Sequence, residues 1–361
     1  MDIDNKLEWV CRQFCIAEPY AGYALIQVGN VNKTYRVDFS MADGTVKSYL
    51  LQNVNTYVFK NPVQVMENID KVTEHIRKKC PGQTTLHFHH TAQRKTYLED
   101  GANFWRMTNY IPSTTYNVVK DMDVVRNAGR AFGDFQIQLS DFDSDLLHET
   151  IPNFHNTEDR YNKLEATIAA DPCGLVSKVG EQIEFLRSVR DVACTLSRLQ
   201  AEGKLPLRVT HNDTKINNVL FDPEGKKPLV VVDLDTVMPG LVGSDFGDAI
   251  RFAANYVEED FPIYHKAGVN MEVFKAFAEG FLEKTGSVLT PLEIDTLAVS
   301  CVALTVELAV RFLDDYIQGS PYFKINYPEH NYVRTCCQIA LAKDMLRNLD
   351  TMQECIRSAM E

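Results

Sequence analysis

The stretch HNDTKINNVLFD, residues 211–222, lies just past the middle of the chain, between two apolar runs. It contains the spacing H-x-D-x-x-x-x-N, formed by His211, Asp213 and Asn218. Strand-forming residues follow in NVLFD, a PEGKK turn comes next, and the run PLVVVDLD then reaches Asp233. The pattern therefore predicts a loop followed directly by a β-hairpin, with an acidic residue where the second strand ends.

These residue types suit phosphoryl transfer to a hydroxyl group. That reaction needs a carboxylate to accept the hydroxyl proton, a divalent metal to bridge the phosphates, and cations to neutralise the developing charge. Asp213 is the candidate base, and Lys215 would lie along the path of the transferred phosphate. Asn218 and Asp233 would hold Mg²⁺, with Asp235 as an auxiliary ligand, because Mg²⁺ prefers hard oxygen ligands.

The spacing alone would arise by chance in about one or two of a hundred chains of this length. Requiring Lys215 and the hairpin with its terminal Asp as well lowers that frequency by at least about another factor of ten. A competing metal motif is the string DFG at 245–247, but SDFGDAIRF is typical of a helix start with Ser244 or Asp245 as N-cap. Asp245 is therefore interpreted as an anchor for the 211–218 loop, and His211 as structural.

The rest of the chain predicts a small β-rich lobe followed by a larger helical lobe. Residues 3–16 are typical of a helix, with Leu7, Val10, Cys11 and Phe14 on one face. Three strands, the helix NPVQVMENIDKVTEHIRKK (61–79) and two or three further strands follow, with a hairpin turn at Glu99 to Gly101. The residues of the 61–79 helix predicted to face inward are Val65, Met66, Ile69, Val72 and Ile76. After a connector near 105–115, helices are predicted over 116–139, 158–203, 270–285, 292–318 and 331–358, interrupted by a β patch at 207–235. The predicted domains are 1–110 and 111–361, with ligands bound in a cleft between them.

Composition narrows the class of protein. The chain has 361 residues, 45% of them hydrophobic, and a net charge of −12. An acidic chain without a Lys/Arg stripe disfavours nucleic acid and anionic membrane surfaces as partners. No apolar run approaches the roughly 20 residues of a membrane span, and the acidic N-terminus lacks the order of a signal peptide, so a cytoplasmic location is expected. The nine scattered cysteines predict buried, reduced thiols.

Several segments together resemble one superfamily, the aminoglycoside phosphotransferases and choline kinases, which share the two-lobed fold of protein kinases. Within it the chain is most similar to the N-acetylhexosamine 1-kinases, and the RFLDDYIQGSPYF segment is the most discriminating. The segments that carry the resemblance are NKTYRV (32–37), YLLQNVNTYVF (49–59), IPNFHNT (151–157), HNDTKINNVLFD (211–222), VDLDTVMPG (232–240), DFGDAIR (245–251) and RFLDDYIQGSPYF (311–323) with the following YPEHN and Arg334.

The resemblance implies an α+β, protein-kinase-like fold and an ATP- and Mg²⁺-dependent reaction. The acceptor would be the anomeric hydroxyl of N-acetylglucosamine or N-acetylgalactosamine, with Asp213 as base. Arg311 and Tyr322 match positions that hold the sugar, and Asn30 stands where relatives carry a sugar-contacting His. Without the resemblance, an ion pair of Arg311 with Asp314 or Asp315 is equally compatible with the sequence.

The resemblance also implies a nucleotide site. Gly29 and Asn32 belong to the segment 28–32, which would cover the phosphates, and Gln52 occupies the third-strand position where a phosphate-binding Lys is usual. The segment FWRMTNY (104–110) contains Arg106 and Thr108. It falls where kinase folds bind adenine through backbone N–H and C=O groups.

Two rival functions stay open at this point. The acceptor could be an amino alcohol or an aminoglycoside, which would call for an acidic pocket. Alternatively, Gln52 leaves room for a kinase-fold binding protein without turnover. The HFHH run (87–90) is interpreted as exposed imidazoles on a strand and not as a metal site. The expected partners are a sugar and a nucleotide, the sequence does not reveal the oligomeric state, and a monomer is the working expectation.

Overall fold

The computed structural model describes residues 2–26 and 31–361. The chain forms two compact units. The first comprises Met1–Ser113 with Asp145–Thr150 and Leu234–Val237, and the second comprises Thr114–Ser144, Ile151–Asp233 and Met238–Glu361. The first unit holds an antiparallel sheet and the second is mainly helical, so the fold is α+β, as the sequence predicts.

Helices and strands are numbered in chain order. The strands are β1 (Tyr20–Ile26), β2 (Lys33–Ser40), β3 (Val46–Val54), β4 (Leu98–Glu99), β5 (Phe104–Asn109), β6 (Arg208–Thr210), β7 (Val219–Phe221), β8 (Pro228–Val231) and β9 (Met238–Gly240). The helices are α1 (Ile3–Gln13), α2 (Pro62–Lys79), α3 (Met122–Gln138), α4 (Thr157–Ala170), α5 (Gly180–Ser188), α6 (Arg190–Ala193), α7 (Thr195–Ala201), α8 (Val242–Ala253), α9 (Met271–Thr285), α10 (Pro291–Ile317), α11 (His330–Arg347) and α12 (Leu349–Ser358).

The sheet of the first unit has five strands in the order β1-β2-β3-β5-β4, and every neighbouring pair is antiparallel. Side chains alternate between its two faces. One face packs against α1, whose predicted inward residues Leu7, Val10, Cys11 and Phe14 are all buried in the same core as Val37 and Leu51. The prediction for this helix is confirmed, because a single apolar stripe at helical spacing has one surface on which it can be buried.

The opposite face of the sheet carries a row of polar residues. The strand register places Gln52 of β3 between Thr34 of β2 and Arg106 of β5. Thr108 lies on the same face as Arg106, two residues further along β5. The α2 residues that the sequence predicts to face inward, Val65, Met66, Ile69, Val72 and Ile76, are all buried.

The predicted order of elements is confirmed, although one predicted strand is wrong. Segment 84–93 forms no strand, and its only β contact is an isolated bridge between Phe88 and Thr108. Its three His residues leave Phe88 as the single buried apolar residue, which is too little to hold a strand on the sheet. The hairpin turn is confirmed, since Asp100 and Asn103 bond to each other across it and Gly101 has φ 85°. β5 continues to Asn109, so the connector begins later than predicted.

In the second unit α10 is the core helix, with contacts to α4, α6, α7, α8, α11 and α12. It is the one helix in the described residues that is long and apolar enough to cross a membrane, so the expectation that no such run exists is wrong. In its most apolar window 83% of the residues are buried inside the protein. The core helix of a globular unit meets the same length and composition test, because it is apolar on all sides.

Other helix predictions hold in type but not in extent. The segment 158–203 contains four helices instead of one, and 331–358 contains two. Asp171 ends α4 in the left-handed conformation and Pro172 follows it, which explains the first break. Helix α8 begins at Val242 with Leu241 as N-cap, so the predicted N-cap at Ser244 or Asp245 is wrong. The pairing of β9 with β6 is not predicted by the sequence.

Cysteine side chains form no disulfide among the described residues. Five of the nine are buried, as expected for reduced core thiols. Cys15 and Cys173 are exposed, so the prediction of uniform burial is wrong for these two.

Candidate active site

The 211–218 loop connects β6 to β7 in the second unit. His211 is fully buried, and its ring packs edge-on against Phe132 and Phe135 of α3. Its Nδ1 accepts from the backbone N–H of Asp213 (3.2 Å), so Nε2 carries the proton and donates to the Val232 carbonyl (2.8 Å). The structural role predicted for His211 is confirmed.

Asp245 holds the first half of this loop. Its carboxylate accepts hydrogen bonds from the backbone N–H groups of His211 (2.9 Å) and Asn212 (2.7 Å), and from the side chain of Gln136 (2.9 Å). Asn212 adopts a left-handed conformation with φ 62°, which costs free energy in a non-glycine residue unless the surroundings hold it. Although the backbone donors favour the charged form, burial raises the pKa of Asp245. The interpretation of Asp245 as an anchor of the loop is confirmed.

Asp248 holds the second half of the loop. Its carboxylate accepts from the backbone N–H of Thr214 (3.1 Å) and pairs with Arg251 (2.8 Å), which also pairs with Glu259 (2.6 Å). Burial by itself would raise the pKa of Asp248, but the neighbouring Arg251 and Lys215 cations lower it overall. DFGDAIR includes this residue, yet the sequence assigned it no role. A carboxylate three residues after Asp245, on the same face of α8, is the signal that could have revealed it.

The predicted catalytic side chains meet in this loop. Lys215 Nζ lies 2.7 Å from Asp213 Oδ1, and Asn218 Nδ2 donates to the Asp213 carbonyl (2.8 Å). Burial lowers and the Asp213 carboxylate raises the pKa of Lys215, and the net change is a rise, so the amine stays charged. A carboxylate, a cation and an amide are therefore brought together, as the spacing predicts.

Asp233 lies close to Asn218 because of the β7–β8 hairpin. Val219 pairs with Val231, and the Val232 N–H donates to the Asn218 carbonyl (2.8 Å). Asp233 is the next residue after Val232, so the hairpin brings it close to Asn218. Asp233 is exposed and has φ 62°, a left-handed conformation. The end of the hairpin thus presents a carboxylate beside an amide.

The donor set at this end fits a magnesium ion. Asn218 donates to Asp213 through Nδ2, and no described residue donates to its Oδ1, so the amide oxygen is available. Hard oxygens from a carboxylate and an amide, completed by phosphate and water, are the ligands that Mg²⁺ takes. The described part of the chain has no group of three or more His, Cys, Asp or Glu placed to hold a metal by themselves. An ion here would depend on Asn218, on Asp233 and on the substrate's own oxygens.

Asp235 belongs to a different network, within the first unit. One carboxylate oxygen forms a buried ion pair with Arg106 Nη1, and the other accepts from Asn32 Nδ2 (2.7 Å). Arg106 Nε also donates to Gln52 Oε1 (2.9 Å). The metal role predicted for Asp235 stays a prediction, and a metal would have to compete with a guanidinium already bound to this carboxylate.

The predicted nucleotide residues fall into two groups. Gln52, Arg106 and Thr108 share one face of the sheet, and Asn32 bonds to the backbone N–H of Asn55 (2.9 Å) as well as to Asp235. Arg106 and Thr108 are buried, and the Arg106 guanidinium is bound to Gln52 and Asp235. Gly29 lies outside the described residues, as does Asn30 of the predicted sugar site. The nucleotide roles remain predictions.

Arg311 lies between two aromatic rings in the second unit. Its guanidinium carbon is 5.4 Å from the ring centre of Phe154 and 5.5 Å from that of Phe323. Among the described residues no carboxylate pairs with it. Asp315 instead accepts the backbone N–H groups of Tyr322 (2.8 Å) and Phe323 (3.0 Å), so the ion pair considered for Arg311 is not formed.

Tyr322 is held by its backbone and leaves its side chain open. Its ring is 70% exposed and lies against Phe323 at 4.9 Å between ring centres. Asn331, on α11, donates to the same Asp315 carboxylate (2.8 Å) and fixes the loop from the other side. The loop therefore presents Tyr322 to solvent on a rigid base.

One side-chain pair near the catalytic loop was not anticipated from the sequence. His155 Nδ1 is 3.0 Å from Glu307 Oε1, and its Nε2 is 3.4 Å from the Asn212 carbonyl. The residue lies in the quoted motif IPNFHNT, but a motif does not reveal which helix its side chains contact.

The comparison with known proteins agrees with this geometry. A model of the phosphotransferase enzyme family matches residues 25–279, which is more than half of the chain. The chain belongs to the phosphotransferase enzyme family. It is a small-molecule kinase of that family, and the matched range contains the candidate catalytic loop, 211–218, together with Asp233, Asp245 and Asp248.

Solved structures show the same fold. An aminoglycoside phosphotransferase from Alicyclobacillus acidocaldarius has a TM-score of 0.63 at 11% identity, covering 97% of this chain and 96% of its own. A microcompartment-associated aminopropanol kinase has 0.63 at 14%, covering 98% and 99%. A spectinomycin phosphotransferase, solved with ADP and spectinomycin, has 0.53 at 14%, covering 95% and 98%. At these identities the phosphotransferase fold is established, and the acceptor is not.

Proposed function

We propose that this phosphotransferase transfers the γ-phosphate of ATP to the anomeric hydroxyl of an N-acetylhexosamine, giving the sugar 1-phosphate. The observation that carries the proposal is Arg311. Its guanidinium is stacked between Phe154 and Phe323 and has no carboxylate partner among the described residues. A guanidinium whose N–H donors are not paired with a carboxylate suits the neutral hydroxyl and acetamide oxygens of an N-acetylated sugar. The exposed Tyr322 ring adds a flat face and a hydroxyl.

The catalytic loop would supply the chemistry. Asp213 accepts the proton of the attacking hydroxyl, and Lys215, which contacts its carboxylate, faces the transferred phosphate. Asn218 and Asp233 would hold Mg²⁺, which when bound supplies charge neutralisation at the phosphate oxygens. Asp245 and Asp248 keep the loop backbone in place from α8.

A second candidate is an amino-alcohol or aminoglycoside acceptor. It is favoured by Asp314, the neighbour of Asp315 on α10, because its buried Oδ1 has no hydrogen-bond partner in the described residues and could accept from an ammonium group. The aminopropanol kinase named above shares the fold. Against it stands the Arg311 guanidinium, which forms no ion pair among the described residues and repels a cationic acceptor.

An acceptor panel distinguishes these functions. ADP release is measured with N-acetylglucosamine, N-acetylgalactosamine, 1-amino-2-propanol, choline and kanamycin, each with and without Mg²⁺. We expect turnover with the two sugars only, dependent on Mg²⁺, and a phosphorus resonance coupled to the anomeric proton of the product. Turnover restricted to the amines would replace the proposal with the second candidate, and tight nucleotide binding without turnover would indicate a binding protein.

The role of Arg311 has a test of its own. Arg311→Met should raise KM for the sugar by about tenfold or more, equivalent to about 1.4 kcal/mol of lost binding, while KM for ATP stays within about twofold. Arg357→Met, on the exposed face of α12, is the matched control. An unchanged sugar KM in Arg311→Met would remove the basis of the proposal.

A further inference from the structure

The segment PNFHNT (152–157) is part of the sequence pattern, but neither the family chemistry nor the catalytic loop gives it a role. It precedes α4 in the second unit and places two adjacent side chains in different surroundings. Phe154 stacks on Arg311, and His155 reaches Glu307, which lies one helical turn before Arg311 on α10. The segment therefore contacts the proposed acceptor site and the centre of the core helix at once.

His155 is doubly hydrogen bonded, and both of its partners are acceptors. Nδ1 lies 3.0 Å from a Glu307 carboxylate oxygen, and Nε2 lies 3.4 Å from the carbonyl oxygen of Asn212. A neutral imidazole has one N–H and can serve one acceptor, whereas an imidazolium serves both. The geometry therefore favours the charged ring, paired with a charged Glu307 in a largely buried place.

Glu307 is fixed independently of His155. Its second oxygen accepts from Thr157 Oγ1 (2.9 Å), and the side chain is almost fully buried. Burial would raise the pKa of Glu307, but the adjacent His155 lowers it overall. The carboxylate is thus a rigid, charged acceptor, and His155 is oriented by it.

The other contact of His155 is with the residue before the candidate base. Asn212 is buried, has a left-handed backbone with φ 62°, and its carbonyl belongs to the peptide bond that leads into Asp213. Asp245 fixes the N–H side of Asn212 from α8. His155 holds the carbonyl side, so the orientation of this peptide, and with it Asp213, depends on both.

We propose that His155 is a positioning residue, which as an imidazolium held by Glu307 fixes the Asn212–Asp213 peptide of the catalytic loop relative to Arg311. The pairing deepens the proposed function and rests on it only for the identity of the acceptor. Because Arg311 and Glu307 lie on one helix and Phe154 and His155 on one segment, a shift of either would disturb both the acceptor and the base.

The proposal has a pH signature. The charged groups around His155 are Glu307 and Arg311 on α10 and Asp245 and Asp248 on α8, and Arg160 on α4 acts on the paired Glu307. Burial lowers the pKa of His155, but Glu307 and Asp248 raise it more, so its net pKa lies above the ordinary value. The ordering of the loop is therefore present at low pH and is lost as the pH rises through this raised pKa, and kcat should fall on the alkaline side.

The first test follows the ring itself in the full-length wild-type protein. The ¹³C and ¹⁵N resonances of His155, assigned by their absence from His155→Gln, are titrated without acceptor or nucleotide. We expect the ring to stay an imidazolium at pH values above roughly 6.5, the pKa of a free histidine. A His155 pKa at or below that of a free histidine overturns the proposal, whatever acceptor the enzyme uses.

The second test is kinetic, with whichever acceptor the panel shows to be turned over. His155→Gln should lower kcat by about ten- to a hundredfold, leave KM for ATP within about twofold, and lack the alkaline fall of kcat. Glu307→Gln should move that fall to lower pH, a shift that a purely structural role would not produce. His265→Gln, at an exposed position, is the matched control.

Wild-type kcat and an unaltered pH profile in His155→Gln overturn the proposal. If that variant does not fold, the Glu307→Gln profile and the wild-type titration decide. If no acceptor is turned over, the proposed function has failed, while the titration still decides the state of His155.

Discussion

Asp213 combines contacts that a catalytic carboxylate of a kinase needs. One carboxylate oxygen of Asp213 forms an ion pair with Lys215, and its carbonyl accepts a hydrogen bond from Asn218. Its backbone N–H donates to the buried His211 ring. Asp213, the predicted proton acceptor, is therefore oriented from three sides while its carboxylate stays partly exposed. Such an arrangement favours a base that is preorganised before the acceptor arrives.

The first prediction concerns this carboxylate. Asp213→Asn should lower kcat by about 10² to 10⁴, the usual contribution of a general base, without changing the Tm by more than a few degrees. Asp295→Asn, on the exposed side of α10, should behave as wild type. Steady-state ADP release and calorimetry measure the two effects, and a near-normal rate in Asp213→Asn would show that another group is the base.

The second prediction concerns the buried Arg106–Asp235 pair. Arg106 of β5 is bound both to Gln52 on the adjacent strand and to Asp235. Arg106→Met leaves the Asp235 charge buried without its partner and should reduce the free energy of unfolding by about 3 to 5 kcal/mol. Arg106→Met combined with Asp235→Leu should recover part of that loss in a double-mutant cycle.

The control for this cycle is Arg77→Met, because the Arg77–Glu74 pair on α2 is largely exposed. It should cost less than about 1 kcal/mol. Equal losses in Arg106→Met and Arg77→Met, measured by urea unfolding, would contradict a buried ion pair at Arg106.

At the scale of elements, helices α3 and α9 approach through glycines. A Cβ added to Gly129 would overlap the Phe277 carbonyl, and one added to Gly280 would overlap the Arg126 carbonyl. Ion pairs from Arg126 to Glu279 and from Arg130 to Glu283 flank this contact. The two helices therefore pack backbone to backbone, which only a residue without a side chain allows.

The third prediction follows from that contact. Gly129→Ala should reduce the free energy of unfolding by about 1 to 3 kcal/mol or more, because the helices must separate. Gly180→Ala, at the first position of α5 where nothing lies within 4 Å of an added Cβ, should be neutral or stabilising by about 0.5 to 1 kcal/mol. Thermal or denaturant unfolding measures both, and a neutral Gly129→Ala would show that this helix pair is loosely packed.

The start of α10 gives the fourth prediction, on pH. Glu293 closes a capping box with Thr290 and pairs with Arg208 of β6 (2.6 Å). Burial would raise its pKa, but the Arg208 and Thr290 hydrogen bonds lower it overall. A lowered pKa means that the stabilisation is present above the unfolded pKa of about 4.3 and is lost as the pH falls through the folded value.

Glu293→Gln should therefore reduce the free energy of unfolding by about 1 to 3 kcal/mol at pH 7. The difference from wild type should shrink as the pH falls below about 4. Glu354→Gln, at an exposed position of α12, should show neither effect. If the difference in the free energy of unfolding between wild type and Glu293→Gln grew on acidification, the pKa of Glu293 would not be lowered in the folded protein.

At the scale of the whole molecule, the fifth prediction separates nucleotide binding from turnover. ADP at about 100 times its Kd should stabilise the wild-type protein by about 2.7 kcal/mol, through linkage to the folded state. Asp213→Asn should keep most of this stabilisation, because the base acts on the acceptor hydroxyl. Calorimetry with and without ADP measures the stabilisation as a shift of the Tm. If ADP did not shift the Tm of the wild-type protein, an adenine nucleotide would not be the phosphate donor.

Several features of the whole chain could be predicted from local sequence. The order of strands and helices in the first unit, the inward residues of α1 and α2, and the catalytic hairpin all follow from periodicity and turn residues within short windows. Errors fall where tertiary context overrides local preference, as in segment 84–93 and in the N-cap of α8. The pairing of β9 with β6 was missed because strands this short carry little signal of their own.

By itself the sequence determined the reaction class and the grouping of the predicted catalytic residues, because Asp213, Lys215 and Asn218 lie within six residues and a hairpin brings Asp233 back to them. Only the tertiary structure decided the partners of Arg106, Arg311 and His155. Their contacts lie 129 positions away along the chain for Arg106 and Asp235, and 152 for His155 and Glu307. Hydrophobic periodicity predicts which face of a helix or strand is buried. The partner of a buried charged side chain depends instead on which distant elements pack against it.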